Sequence, residues 1–172
     1  MPYVAPSTLA TGTLVTSTHW AIHVNNQKFL HGPPTVQLTR AAAQNIPDTA
    51  WTGVSWDTEV WDTNTMWSST APTKVYARTA GKFLVTQIGS FAATTGGAFR
   101  ALGIRVNTTS GDPRDAHISN ETQSQAWVKC LTSMVSLTTG QFIEAVQIQN
   151  SGAGLNTDTT FDPRLSMIWM SS

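Results

Sequence analysis

Residues 73–107 of the chain read TKVYARTAGKFLVTQIGSFAATTGGAFRALGIRVN, three runs rich in β-branched and aromatic residues separated by Ala80-Gly81 and Thr94-Thr95-Gly96-Gly97. Such runs, punctuated by glycine, signal strand, turn and strand. The same pattern continues downstream. Ala126 to Leu137 and Phe142 to Gln149 flank a Thr138-Thr139-Gly140 turn, and Leu165 to Met170 closes the chain as LSMIWM. Upstream, Thr35 to Ala42 and Trp51 to Trp61 alternate apolar and polar residues. Roughly eight to ten short strands with turns every 8–12 residues predict an all-β sandwich or barrel.

Only one stretch reads as a helix. Leu14 to His31 places Trp20, Val24 and Phe29 near helical spacing, with Thr16, Ser17 and Thr18 as N-cap hydroxyls. Gly32 is expected to supply a left-handed stop, and Pro33-Pro34 prevents continuation. Met1 to Thr13 holds two prolines and a glycine and reads as an extended arm. The chain thus divides into an arm and short helix at 1–34 and a β domain at 35–172.

Composition excludes several functions. Charged residues are 12% of the 172 and the net charge is zero, so the chain lacks the basic field of a general nucleic-acid binder. Seven Trp and six Phe argue against disorder. No run approaches the ~20 apolar residues of a membrane span, so no membrane insertion is expected. The N-terminus lacks a basic leader and is not read as a signal peptide. Charges are segregated: four acids and no base from Asp48 to Asp62, five bases and no acid from Lys74 to Arg105. That segregation is read as strand-face and subunit pairing. Cys130 is the single cysteine and is expected to be a small buried hydrophobe.

No cofactor or metal is expected. His19 and His23 stand four apart on the helix, but no glutamate follows His19 and no third ligand is near. Asp57, Glu59 and Asp62 lack the glycine turn and the oxygen set of a calcium loop. The polar stretch from Asn107 to Gln123, read as a long loop, carries Arg114, Asp115, His117 and Glu121. Ser119, His117 and Asp115 are too close in one loop to give a preorganised triad, so no catalytic residue is assigned.

Leu165, Met167 and Trp169 point one way along the last run, Ile168 and Met170 the other. A strand apolar on both faces is covered on both, which in a small β domain suggests oligomerisation.

The order of three segments resembles one family. Ala80-Gly81-Lys82-Phe83-Leu84-Val85, then Phe99 to Asn107, then Leu137-Thr138-Thr139-Gly140-Gln141-Phe142-Ile143-Glu144-Ala145 resemble the jelly roll of the tumour necrosis factor and complement globular-head superfamily. Gly154-Leu155, Phe161 and the apolar last strand fill its closing positions, over about residues 48–172. Asp162-Pro163-Arg164 stands where the animal proteins have a serine-glycine bend. Trp51 to Asp62 followed by Met66, and the leader Leu14 to Leu38, resemble bacteriophage structural proteins instead. The resemblance implies a jelly-roll sandwich forming a homotrimer. Its axial sheet would hold residues 36–42, 73–78, 141–149 and 165–170, with Tyr76, Ile168 and Met170 at the interface.

Three functions compete. The first is a non-enzymatic virion protein, made in a bacterial host cytoplasm. It would decorate the capsid as a trimer and grip the major capsid protein, another virion protein or a neighbouring subunit through Trp20, Val24 and Phe29. The second is a receptor- or glycan-binding tip of a phage head or tail fibre, engaging a host surface glycan through surface tryptophans and the 107–123 stretch. The third, an enzyme, has the least support.

Overall fold

A computed structural model describes Val4, residues 8–119 and residues 126–172, apart from the side chains of 117–119. One helix, α1 (Ser17–His31), precedes twelve strands among these residues. The strands are β1 (Thr35–Thr39), β2 (Asn45–Ile46), β3 (Thr52–Gly53), β4 (Thr58–Asp62), β5 (Lys74–Tyr76) and β6 (Gly81–Phe91). Then come β7 (Arg100–Val106), β8 (Asp115–Ser119), β9 (Trp127–Leu137), β10 (Phe142–Gln149), β11 (Leu155–Asn156) and β12 (Arg164–Ser171).

They form two antiparallel sheets. The first runs β4-β1-β12-β6-β9. The second runs β3-β10-β7-β8, with β5 also pairing β10. A short β11-β2 ladder lies apart. Alternation sets which side chains enter the space between the sheets. From the first sheet come Val36, Leu38, Phe83, Val85, Val135, Leu137, Leu165, Met167 and Trp169, all buried. Val75, Ile104, Ile143 and Ala145 meet them from the second. Ile46, Phe91, Leu102 and Trp127 form a smaller core of their own. The buried amides of Gln87 and Gln147 also lie inside the sandwich, with Gln87 Nε2 donating to Val146 O at 3.4 Å.

The helix starts where the hydroxyl run places it. Thr16 is its N-cap, and its backbone N–H donates to Nδ1 of His19 at 3.1 Å. His19 therefore fills the place that Glu or Gln takes in a capping box. The helix stop differs from expectation. Gly32 has φ −133°, outside the left-handed region, and its N–H simply continues to Lys28 O at 3.0 Å. Pro33-Pro34 does the terminating, because neither ring can donate the next hydrogen bond. Asn26 ties the arm to the helix: its Nδ2 donates to Val4 O at 2.6 Å and its Oδ1 accepts from Val4 N at 3.1 Å.

Gly81 opens β6 because no larger residue fits. Its φ is +150°, and a Cβ there would collide with the Trp169 indole. That indole is held in turn by Nε1 donating to Ala80 O at 3.0 Å.

Three other expectations need correction. The 107–123 stretch is not all loop, since it contains β8 paired to β7. Trp51 to Trp61 is not one strand: β3 and β4 are separated by residues 54–57, whose Val54 and Trp56 plug the core. Cys130 is exposed, not buried, because it sits on the outward side of edge strand β9.

Candidate functional site

The outward faces of the two sheets differ. The second is covered over β7 and the adjoining part of β10 by its own loop of residues 107–114. Arg105 and Glu144, each with 5% of its side chain exposed, pair there at 3.1 Å. Arg105 also donates to Gly111 O at 3.0 and 2.7 Å and to Thr109 O at 2.9 Å, which draws residues 107–114 over the strands. Pro113 closes the cover: a Cβ on Gly103 would come within 2.5 Å of its Cγ, so only glycine admits that loop. A buried ion pair tolerates desolvation when further hydrogen bonds satisfy its atoms, and the carbonyls of the loop do so for Arg105.

The first sheet has no such cover. Its register aligns Thr35, Ile168, Leu84 and Met134 in one row across four strands. The next row is Trp61, Gln37, Ser166, Thr86 and Thr132. Met134 is 55% exposed, Met170 51% and Ile168 38%. Neither row carries a charge; Lys82 and Arg164 stand beyond them toward opposite ends of the strands. The polar side chains bond one another. Gln37 Nε2 donates to Ser166 Oγ at 3.0 Å, the hydroxyls of Thr86 and Thr132 meet at 3.2 Å, and Trp61 Nε1 donates to Thr35 Oγ1 at 3.3 Å. Groups already paired lose little when water is removed, so this face is prepared for burial against another surface.

Ile168 and Met170 lie where the sequence puts them, on the outward side of β12. Tyr76 does not join them. It belongs to β5 in the second sheet, opposite Phe142 of β10. The expected axial sheet is corrected accordingly: residues 73–78 and 141–149 leave it, and β4, β6 and β9 take their place. Leu84, Met134 and Trp61, not singled out from the sequence, line the open face. Met134 was readable in principle, since it alternates with the buried Val135 and Leu137.

The expected anchoring group also divides. Phe29 turns inward against Trp169, while Trp20 and Val24 remain exposed. A cleft of ≈150 Å³ separates the last helical turn from the Thr63–Asn64 turn.

Of the three acids near a calcium-loop pattern, Asp57 and Asp62 are engaged by backbone N–H groups, and Glu59 is exposed. Asp57 accepts from Ala41 N at 2.9 Å and Ala42 N at 3.0 Å; Asp62 accepts from Asn64 N at 2.9 Å and Trp67 N at 2.8 Å. Among the described residues no three His, Cys, Asp or Glu side chains gather to hold a metal. Asp115 accepts a hydrogen bond from Ser133, while the side chains of His117 and Ser119 lie outside the described residues.

No known sequence family matches the chain, and no curated protein matches it. Solved structures do. The globular domain of zebrafish complement 1qA protein superposes with a TM-score of 0.61 at 9% identity, covering 80% of this chain and 97% of that one. Murine APRIL at pH 5.0 superposes with a TM-score of 0.61 at 11% identity, covering 80% of this chain and 98% of that one. At such identity the likeness speaks for fold alone: the chain is an all-β jelly-roll sandwich, similar in fold to these two domains.

Proposed function

We propose that the chain is a non-enzymatic structural subunit. It associates as a homotrimer through the open face of the β4-β1-β12-β6-β9 sheet and decorates a virion capsid through its N-terminal segment. The observation that carries the first half is the contrast between the sheets. One is covered by its own loops around Arg105 and Glu144, and the other leaves Ile168, Met170 and Met134 exposed on a face whose two central rows carry no charge and whose polar groups bond one another. Apolar area of this kind on a sheet of small polar residues suits a symmetric subunit contact.

The second half rests on the leader and on the resemblance of its sequence to phage structural proteins. The helix docks by Phe29 and keeps Trp20 and Val24 outward, which supports their role in gripping a virion protein. Light scattering on the purified chain tests the assembly: a trimer of the 18.6 kDa subunit has a mass of about 56 kDa. A monomer at micromolar concentration would sink the trimeric reading. Deleting residues 1–31 tests the anchor. The truncated protein should still form the trimer and lose attachment to capsids, and retained attachment would refute the anchoring role.

A further inference from the structure

A charged feature lies on the second sheet, away from the open face. Lys74 and Tyr76 of β5 project outward on either side of the buried Val75, and Phe142 is the register partner of Tyr76. The two rings lie 5.6 Å apart at 56°. Lys74 Nζ stands 4.8 Å from the centre of the Phe142 ring, and the Arg78 guanidinium carbon 5.4 Å from that of Tyr76. The order is cation, ring, ring, cation. Arg78 is fixed further by Nε donating to Thr65 O at 2.7 Å.

Among the described residues neither cation forms an ion pair. The ion pairs among the described residues are Arg105–Glu144, Arg114–Asp115 and Arg164–Asp162. Glu144 is the register partner of Lys74, but Arg105 holds it. No Asp or Glu occurs in the sequence between Asp62 and Asp112. Two cations are therefore held over aromatic rings, and the carboxylate across from Lys74 is already engaged by Arg105. Cations positioned in advance lose less freedom when they bind an anion.

We propose that this array binds an acidic polysaccharide. Lys74 and Arg78 take carboxylates of successive sugar units, and the pyranose rings lie against Tyr76 and Phe142. Charge-assisted bonds to carboxylate suit the guanidinium edge. A nucleic acid fits less well. The chain has zero net charge, and two cations neutralise few phosphates. The array lies on the sheet opposite the open face, so the site does not depend on subunit association.

Titration calorimetry of the full chain with oligogalacturonate tests the proposal, with dextran of similar length, a single-stranded DNA oligonucleotide and pyrophosphate as comparisons. Saturable binding of oligogalacturonate is expected, weakening with salt. Dextran, DNA and pyrophosphate should each bind at least about tenfold more weakly, the effect of about one charge-assisted contact. The double variant Lys74→Gln, Arg78→Gln should lose about tenfold or more in affinity while keeping the circular dichroism spectrum of the folded chain. Lys82→Gln, outside the array, should bind as the parent does. Absent or dextran-like binding of oligogalacturonate would overturn the site, as would undiminished binding by the folded double variant. Tighter binding of DNA or pyrophosphate would overturn the saccharide assignment.

Discussion

The ring of Phe29 stands edge-on to the indole of Trp169, centroids 4.7 Å apart and planes at 83° to each other. This contact joins the N-terminal helix to the last strand of the sandwich. Edge-to-face geometry places the positive rim of one ring on the negative face of the other. Phe29 is the one apolar helix residue that is fully sequestered; Asn26, the other buried residue, faces the arm. Replacing Phe29 by alanine should cost about 3 kcal/mol and release the helix. Urea denaturation would give the loss, and faster hydrogen exchange in residues 17–31 with unchanged exchange in β6 and β12 would locate it.

His19 caps the helix by accepting the Thr16 N–H. Glutamine presents the same kind of acceptor, so His19→Gln should leave helix content unchanged. His19→Ala removes the acceptor and should destabilise the helix by about 1 kcal/mol. Circular dichroism at 222 nm with a thermal melt distinguishes the two variants.

Glu144→Ala leaves the Arg105 guanidinium buried without its partner. The expected loss is about 3–5 kcal/mol, the usual effect of breaking a buried pair from one side. The loop of residues 107–114 should exchange its amides faster in the same variant, because Arg105 is what draws it over the sheet.

Asp57 links stability to pH. Burial by itself would raise its carboxyl, but the N–H groups of Ala41 and Ala42, the Thr58 hydroxyl and the Arg40 charge outweigh burial and lower it below the ordinary carboxylate value. The unfolded chain therefore takes up the proton first as pH falls. The contribution of Asp57 is fully present above the ordinary carboxylate range and is lost as pH falls through the lower folded value. Asp57→Asn should unfold at lower urea than the parent at pH 7, and the gap should close below about pH 4. A pH-independent gap in urea midpoints would contradict this assignment.

A lysine at Ile168 puts a charge in the middle of the apolar row shared with Leu84 and Met134. Ile168→Lys should leave the subunit folded, since the position faces outward, and reduce the mass in light scattering to that of a monomer. Tyr76→Lys, on the other sheet, should leave the mass unchanged.

Much of the sandwich was legible in the chain itself. The alternation of Leu165, Met167 and Trp169 with Ile168 and Met170 states which residues of β12 turn inward, because successive strand side chains point to opposite faces whatever the strand pairs with. The Thr138-Thr139-Gly140 turn and the hydroxyl run before the helix are equally local, and each is found where its chemistry puts it.

Tertiary structure decided what alternation leaves open. Period two separates inside from outside but does not name a strand's neighbour, and here β1 pairs with β12, far away in the chain. That is why Tyr76 stands on the opposite sheet from Ile168, and why Leu84 and Met134 complete the open face. Cys130 lies in an apolar run yet is exposed, because exposure depends on whether anything covers the face of β9. The helix shows the same limit. Trp20, Val24 and Phe29 are all apolar, and only the position of Trp169 selects which of them is buried. Local sequence sets the direction of each side chain through backbone geometry; contacts between distant segments decide what it meets.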